Sequence, residues 1–112
     1  MPITQNIQID TSGNCPATAV SIGDKVQWTA PSSSAAWVKP PSIFSSNACD
    51  GKIQIPAGTT LPSNLNACPV SANASPGSHI YSSGLGSGPI TANGGNDTIT
   101  IIAPEPQKAP QY

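Results

Sequence analysis

Apolar and polar residues alternate along short stretches of this chain, and Gly, Pro or runs of Ser, Thr and Asn interrupt each stretch. Ile3, Ile7 and Ile9 alternate with Thr4, Asn6, Gln8 and Asp10, the two-residue period of a strand with one buried face. Thr11-Ser12-Gly13-Asn14 breaks that period. Val20 and Ile22 lead into Gly23-Asp24, after which Val26, Trp28 and Ala30 alternate with Lys25, Gln27 and Thr29. This is the clearest strand in the chain, and it puts Trp28 on the inward face beside Val26. Trp37-Val38, Ile43-Phe44 and Ile53-Gln54-Ile55 are shorter apolar pieces, bounded by Pro40-Pro41 and Pro56-Ala57-Gly58. Residues 59–78 read as loop, with Pro62, Pro69, Pro76 and Gly77 as breaks. His79-Ile80-Tyr81 restarts an extended segment, and Gly84 to Gly88 reads as another loop. Asn93-Gly94-Gly95-Asn96 signals a tight turn, and Thr98-Ile99-Thr100-Ile101-Ile102 is a strongly β-prone last strand.

No segment sustains a helical period, and 13 Pro with 10 Gly leave little room for one. The pattern predicts an all-β domain over residues 1–103, a Greek-key β-sandwich of about seven short strands. A Pro-rich extended tail follows over residues 104–112.

Composition narrows the function classes. The 112 residues suffice for a single hydrophobic core. Charged residues make up 8% of the chain, against a usual share of about 25%. Arg is absent, the basic residues are Lys25, Lys39, Lys52 and Lys108, and the net charge is −1. Nucleic-acid binding needs clustered Lys and Arg to follow phosphates, so the balance argues against it. No apolar run approaches the roughly 18–20 residues that span a bilayer. The chain opens directly on strand-like sequence without an apolar leader. Either the chain is cytoplasmic or Met1 is an added start, and composition with the cysteines leads us to expect the second, a mature secreted or periplasmic chain. A neutral polar surface of Ser, Thr, Asn and Gln also offers little charge repulsion against self-association.

Four segments, taken in order, resemble the cupredoxin-like family. Val20-Ser21-Ile22-Gly23-Asp24-Lys25-Val26-Gln27-Trp28 is similar to its early strand, Gly-Asp turn and following strand with an apolar-x-Trp pair. Ile53-Gln54-Ile55-Pro56-Ala57-Gly58 is similar to its mid-chain strand and small-residue turn. Pro76-Gly77-Ser78-His79-Ile80-Tyr81 resembles the Pro-Gly run entering its ligand loop. Asn96-Asp97-Thr98-Ile99-Thr100-Ile101 resembles its closing strand, with Thr98 where Pro often stands. The resemblance implies a β-sandwich. It does not carry the family's metal, because a blue-copper centre needs two His and one Cys with a weak axial ligand such as Met. This chain has one His, His79, and one Met, Met1. Ser82 and Ser83 stand where the Cys would follow Tyr81. No cofactor is expected.

The remaining chemistry is sparse. Cys15, Cys49 and Cys68 are an odd number. Cys49 and Cys68 each end an Asn-Ala-Cys triplet and flank the loop region, which makes them the expected disulfide, with Cys15–Cys68 as the alternative. Cys15, Cys49, Cys68 and His79 have the count for a Cys3His zinc site, and His79 and Cys68 are the weak metal candidates. Their spacing lacks the close Cys pairs on which structural zinc sites are built. A hydrolytic reading would combine His79 with a Ser and Asp24, Asp50 or Asp97, yet no Gly-x-Ser-x-Gly elbow accompanies them. Gly84-Leu85-Gly86-Ser87-Gly88 lacks the Lys and following helix of a phosphate loop. Trp37 reads either as core or as a surface ring that stacks on a sugar or a partner. Trp37, His79 and Tyr81 are the candidate binding surface. The expected role is non-catalytic: protein binding, or a structural or assembly subunit of the envelope or extracellular space. It would act through edge-strand pairing, with the β-prone last strand as the motivating element, or through loop contacts. The alternative is a small ligand- or metal-binding module using His79 and nearby loops.

Overall fold

The alternation seen in sequence becomes strands wherever a turn residue permits the chain to reverse. A computed structural model describes residues 3–46, 49, 51–63, 66–86 and 95–102. The strands are β1 (Thr4–Gln8), β2 (Thr18–Ser21), β3 (Lys25–Thr29), β4 (Ala36–Lys39), β5 (Ile53–Ile55), β6 (Thr60–Leu61), β7 (Cys68–Pro69), β8 (Gly77–Leu85) and β9 (Gly95–Ile102). They form two sheets. The first runs β1-β3-β6, with β7 also pairing β3, and the second runs β2-β9-β8-β4-β5. Two pairs are parallel, β1 with β3 and β2 with β9, and the others are antiparallel.

The inward faces meet in one core. Ile7, Ile9, Val26 and Trp28 belong to the same buried cluster as Val20, Ala36, Val38, Ile55, Tyr81, Ile99 and Ile101. Trp28 lies at its centre, edge-on to Phe44 at 6.1 Å and to Tyr81 at 6.0 Å between ring centroids. Large aromatic rings supply much buried area per residue, which matters in a chain with few of them. The Gly23-Asp24 turn ties the start of the fold together. Gly23 has a φ of 91°, which L side chains resist. The buried Asp24 carboxylate then accepts from Ser21 N at 2.9 Å and from Ile3 N at 3.1 Å.

Three sequence expectations change. Residues 59–78 are not plain loop: two-residue strands β6 and β7 occur there, each pairing β3, and β8 already starts at Gly77. β8 also continues through Gly84 to Leu85, into the predicted Gly-rich loop. The β-prone last strand is not an edge. β9 is held on one side by β8, from Gly77↔Ile101 to Ser83↔Gly95, and on the other by β2, from Thr18↔Ile99 to Ser21↔Ile102. The Asn93–Asn96 turn lies partly, and the 104–112 tail and Met1 lie wholly, outside the described residues.

Candidate functional site

The side chains that sequence reasoning singled out are dispersed. Cys49 and Cys68 form a disulfide, with Cα atoms 5.9 Å apart, and Cys15 is the free cysteine. Two of the four groups of the Cys3His set are therefore consumed, and a zinc site from those residues is closed off. Among the described residues no group of three or more His, Cys, Asp or Glu side chains is placed to hold a metal ion.

The proposed binding trio does not form a surface. Trp37 and Tyr81 are each only 4% exposed, and His79 alone keeps a partly open face. Trp37 points to the outer side of the second sheet, opposite to its neighbours Ala36 and Val38 in the core. It is buried there because its cross-strand neighbour is Gly84. A Cβ on Gly84 would stand 2.8–2.9 Å from the Trp37 indole, so the ring lies flat where a side chain would otherwise be. Gln54, across from Trp37 on β5, closes the other side, with Nε2 donating to the carbonyls of Ala36 and Gly86 at 3.0 Å each.

His79 borders a shallow cleft of about 380 Å³ with Lys39, Pro41, Ser42 and Ser82. Its Nε2 lies 2.7 Å from the carbonyl of Ser75. A carbonyl only accepts, so that nitrogen carries the proton and holds the ring against the Ala74–Pro76 turn. Among the described residues no carboxylate lines the cleft to orient the ring as a catalytic base. A second cleft of about 530 Å³ lies between Gln8–Thr11 and Thr29–Ser32. Its single carboxylate, Asp10, already accepts from Ser12 N at 2.8 Å and Asn14 N at 2.9 Å.

Among the described residues a concentration of reactive side chains lies elsewhere, where the 10–17 loop docks on β8 and β9. Gly13 has a φ of 87°, and a Cβ there would stand 2.9 Å from Leu85 N. Only glycine lets the loop approach so closely. That contact brings Cys15 N within 2.8 Å of Asp97 Oδ1. Ser83 Oγ then lies 2.7 Å from Gly13 O, 2.5 Å from Asp97 Oδ2 and 3.5 Å from Cys15 Sγ. Beyond the thiol, the Tyr81 hydroxyl accepts from Trp28 Nε1 at 3.2 Å.

A serine hydroxyl has one proton, so Gly13 O and Asp97 Oδ2 share Ser83 as their donor. Desolvation by burial raises the Asp97 carboxyl above its ordinary value. Burial likewise pushes the Cys15 thiol up to about 11 and lifts Tyr81 well above the ordinary phenol value.

Chemically the cluster is quiet. A nucleophilic cysteine needs a depressed pKa and access, whereas Cys15 is held as a thiol beside a fully buried Ser83. The cluster joins the loop to both long strands. Sequence reasoning missed it, although a signal was available. Ser83 falls on the inward parity with Tyr81, and Asp97 falls on the inward parity with Ile99 and Ile101. Polar residues at core parity call for partners. No family model matches the chain, and no curated protein or solved structure gives a match.

Proposed function

We propose that this protein is a non-catalytic β-sandwich that acts by binding protein, as a partner-binding module or as a structural subunit of an envelope or extracellular assembly. One observation carries the reading. The reactive side chains among the described residues are either enclosed in structural hydrogen bonds or, like His79, set apart from any catalytic companion, while the first sheet ends in an exposed, uncharged strand. Such edges bind other chains through main-chain hydrogen bonds. The Cys49–Cys68 disulfide supports an oxidising compartment, hence secretion or the periplasm. The two-sheet architecture supports the cupredoxin-like resemblance, and with it a family scaffold whose metal ligands are absent from this chain.

A second reading, small-ligand or metal binding at His79, draws on the cleft that this ring borders with Lys39, Ser42 and Ser82. Native mass spectrometry with one equivalent of Cu²⁺ or Zn²⁺ separates the two. The binding reading expects oligomers or a heterologous complex and no retained metal. A strictly monomeric protein that keeps one metal ion per chain would overturn it in favour of the second.

A further inference from the structure

We infer that β1 is the docking edge for a second copy of this chain, antiparallel to it across a two-fold axis through Asn6. The inference rests on the binding reading above and names its partner and register.

β1 ends the first sheet and pairs on one side only, with β3. The direction of its free groups follows from the parallel ladder. Ile3 O accepts from Lys25 N and Ile9 N donates to Thr29 O, both at 2.9 Å. Odd-numbered residues of β1 thus turn their backbone groups toward β3. Those of Thr4, Asn6 and Gln8 point away from the sheet. Their side chains are exposed, and no described element pairs with that side.

Natural edges are commonly protected by charge, Pro, a bulge or brevity. β1 has none of the first three: Thr4–Gln8 is uncharged and Pro-free, and its register with β3 is unbroken from Thr4↔Lys25 to Gln8↔Thr29. The other edges are blunter. β6 and β7 have two residues each, with Pro69 in β7, while β5 has three residues and runs into Pro56. β2 has four residues, starting two after Pro16.

The occupant follows from self-complementarity. An antiparallel pair centred on Asn6 sets Thr4 opposite Gln8 of the second copy, and Asn6 opposite Asn6. Each of these is an outward-pointing position, so each pair exchanges both backbone hydrogen bonds. The same register sets Gln5 opposite Ile7 and Ile3 opposite Ile9. Every pair is neutral, and a chain charge of −1 opposes the approach of two copies only weakly.

Sedimentation equilibrium up to roughly millimolar protein tests this. The unmodified chain is expected to dimerise. Thr4→Lys with Gln8→Lys sets Lys against Lys at both ends of the pairing and should weaken the dimer roughly tenfold or more. Thr4→Lys with Gln8→Glu sets Lys against Glu in this register and should restore it. Circular dichroism of both variants checks that these exposed substitutions leave the fold intact. A dimer indifferent to the double-Lys change would overturn the β1 interface while leaving assembly through another surface. A strictly monomeric chain would overturn the inference outright, and a monomer retaining a metal ion would overturn the binding reading as well.

Discussion

Two polar regions of this molecule treat hydrogen bonding in opposite ways. At the Cys15–Ser83–Asp97 cluster the groups lie inside the sandwich and pair with one another. Along β1 the outward backbone groups of Thr4, Asn6 and Gln8 have no strand partner among the described residues. Burial makes the first arrangement obligatory, because an unpaired polar group in the core costs about 1–3 kcal/mol. Exposure makes the second inexpensive, because water serves both donor and acceptor. The closed region is therefore read as architecture and the open one as a place for contact. Nearby substitutions should respond unequally.

The largest effect is expected from Ser83→Ala. It leaves Asp97, Gly13 O and the Cys15 thiol without their shared partner, and urea denaturation should show a loss of about 1–3 kcal/mol. Next comes Gly13→Ala, which forces a side chain into a left-handed φ and against Leu85 N. The backbone term alone is about 1–2 kcal/mol, and faster alkylation of Cys15 in the folded protein should accompany the loosened loop. A smaller but more diagnostic change is Asp97→Asn. The amide can still accept from Cys15 N and can donate to Ser83 Oγ, so stability should change by less than about 1 kcal/mol.

That variant also isolates a pH effect. The folded state raises the Asp97 pKa above 3.8, so it holds the proton more tightly than the unfolded chain does. The stability this provides is fully present below 3.8 and is lost as pH rises through the folded value. Urea midpoints across the acidic range should therefore fall with rising pH for the native chain, and Asp97→Asn should remove that part of the slope. Cys15 acts in the same sense at alkaline pH: its contribution is lost from the ordinary 9.0 upward through about 11. The smallest effect belongs to the open region. Thr4→Lys with Gln8→Lys should leave the unfolding free energy of the monomer within about 0.5 kcal/mol, even where it disperses the dimer. A large destabilisation there would show that the edge is structural after all.

The sequence made much of the architecture readable and little of the site. Strict alternation of apolar and polar residues exposed β1 and β3, although Gln27 on the polar side of β3 is buried as well. Paired Asn-Ala-Cys triplets pointed to the disulfide that forms. The strands β6 and β7 were hidden, since two residues carry no period and both owe their form to the neighbouring β3. Strand order was hidden too. The β-branched run of β9 shows that it is a strand, but whether it lies at an edge depends on β2, some 80 residues earlier, pairing alongside it. Trp37 stayed open between core and surface because its surroundings in sequence are polar. Its burial comes from Gly84, a neighbour that only the β4–β8 register supplies. The polar cluster went unread because Cys15, Ser83 and Asp97 meet only after a loop and two strands converge.

The position of Trp37 over Gly84 has an optical consequence. Trp28 is enclosed between the two sheets beside Tyr81, whereas Trp37 lies on the outer side of the second sheet. The two indoles therefore report on different events. Separation of the sheets would alter the emission of Trp28, and local peeling of β4 from β8 would alter that of Trp37. Single-tryptophan variants would turn these residues into two independent fluorescent gauges, showing whether the sandwich opens as a unit or first loses its outer strands.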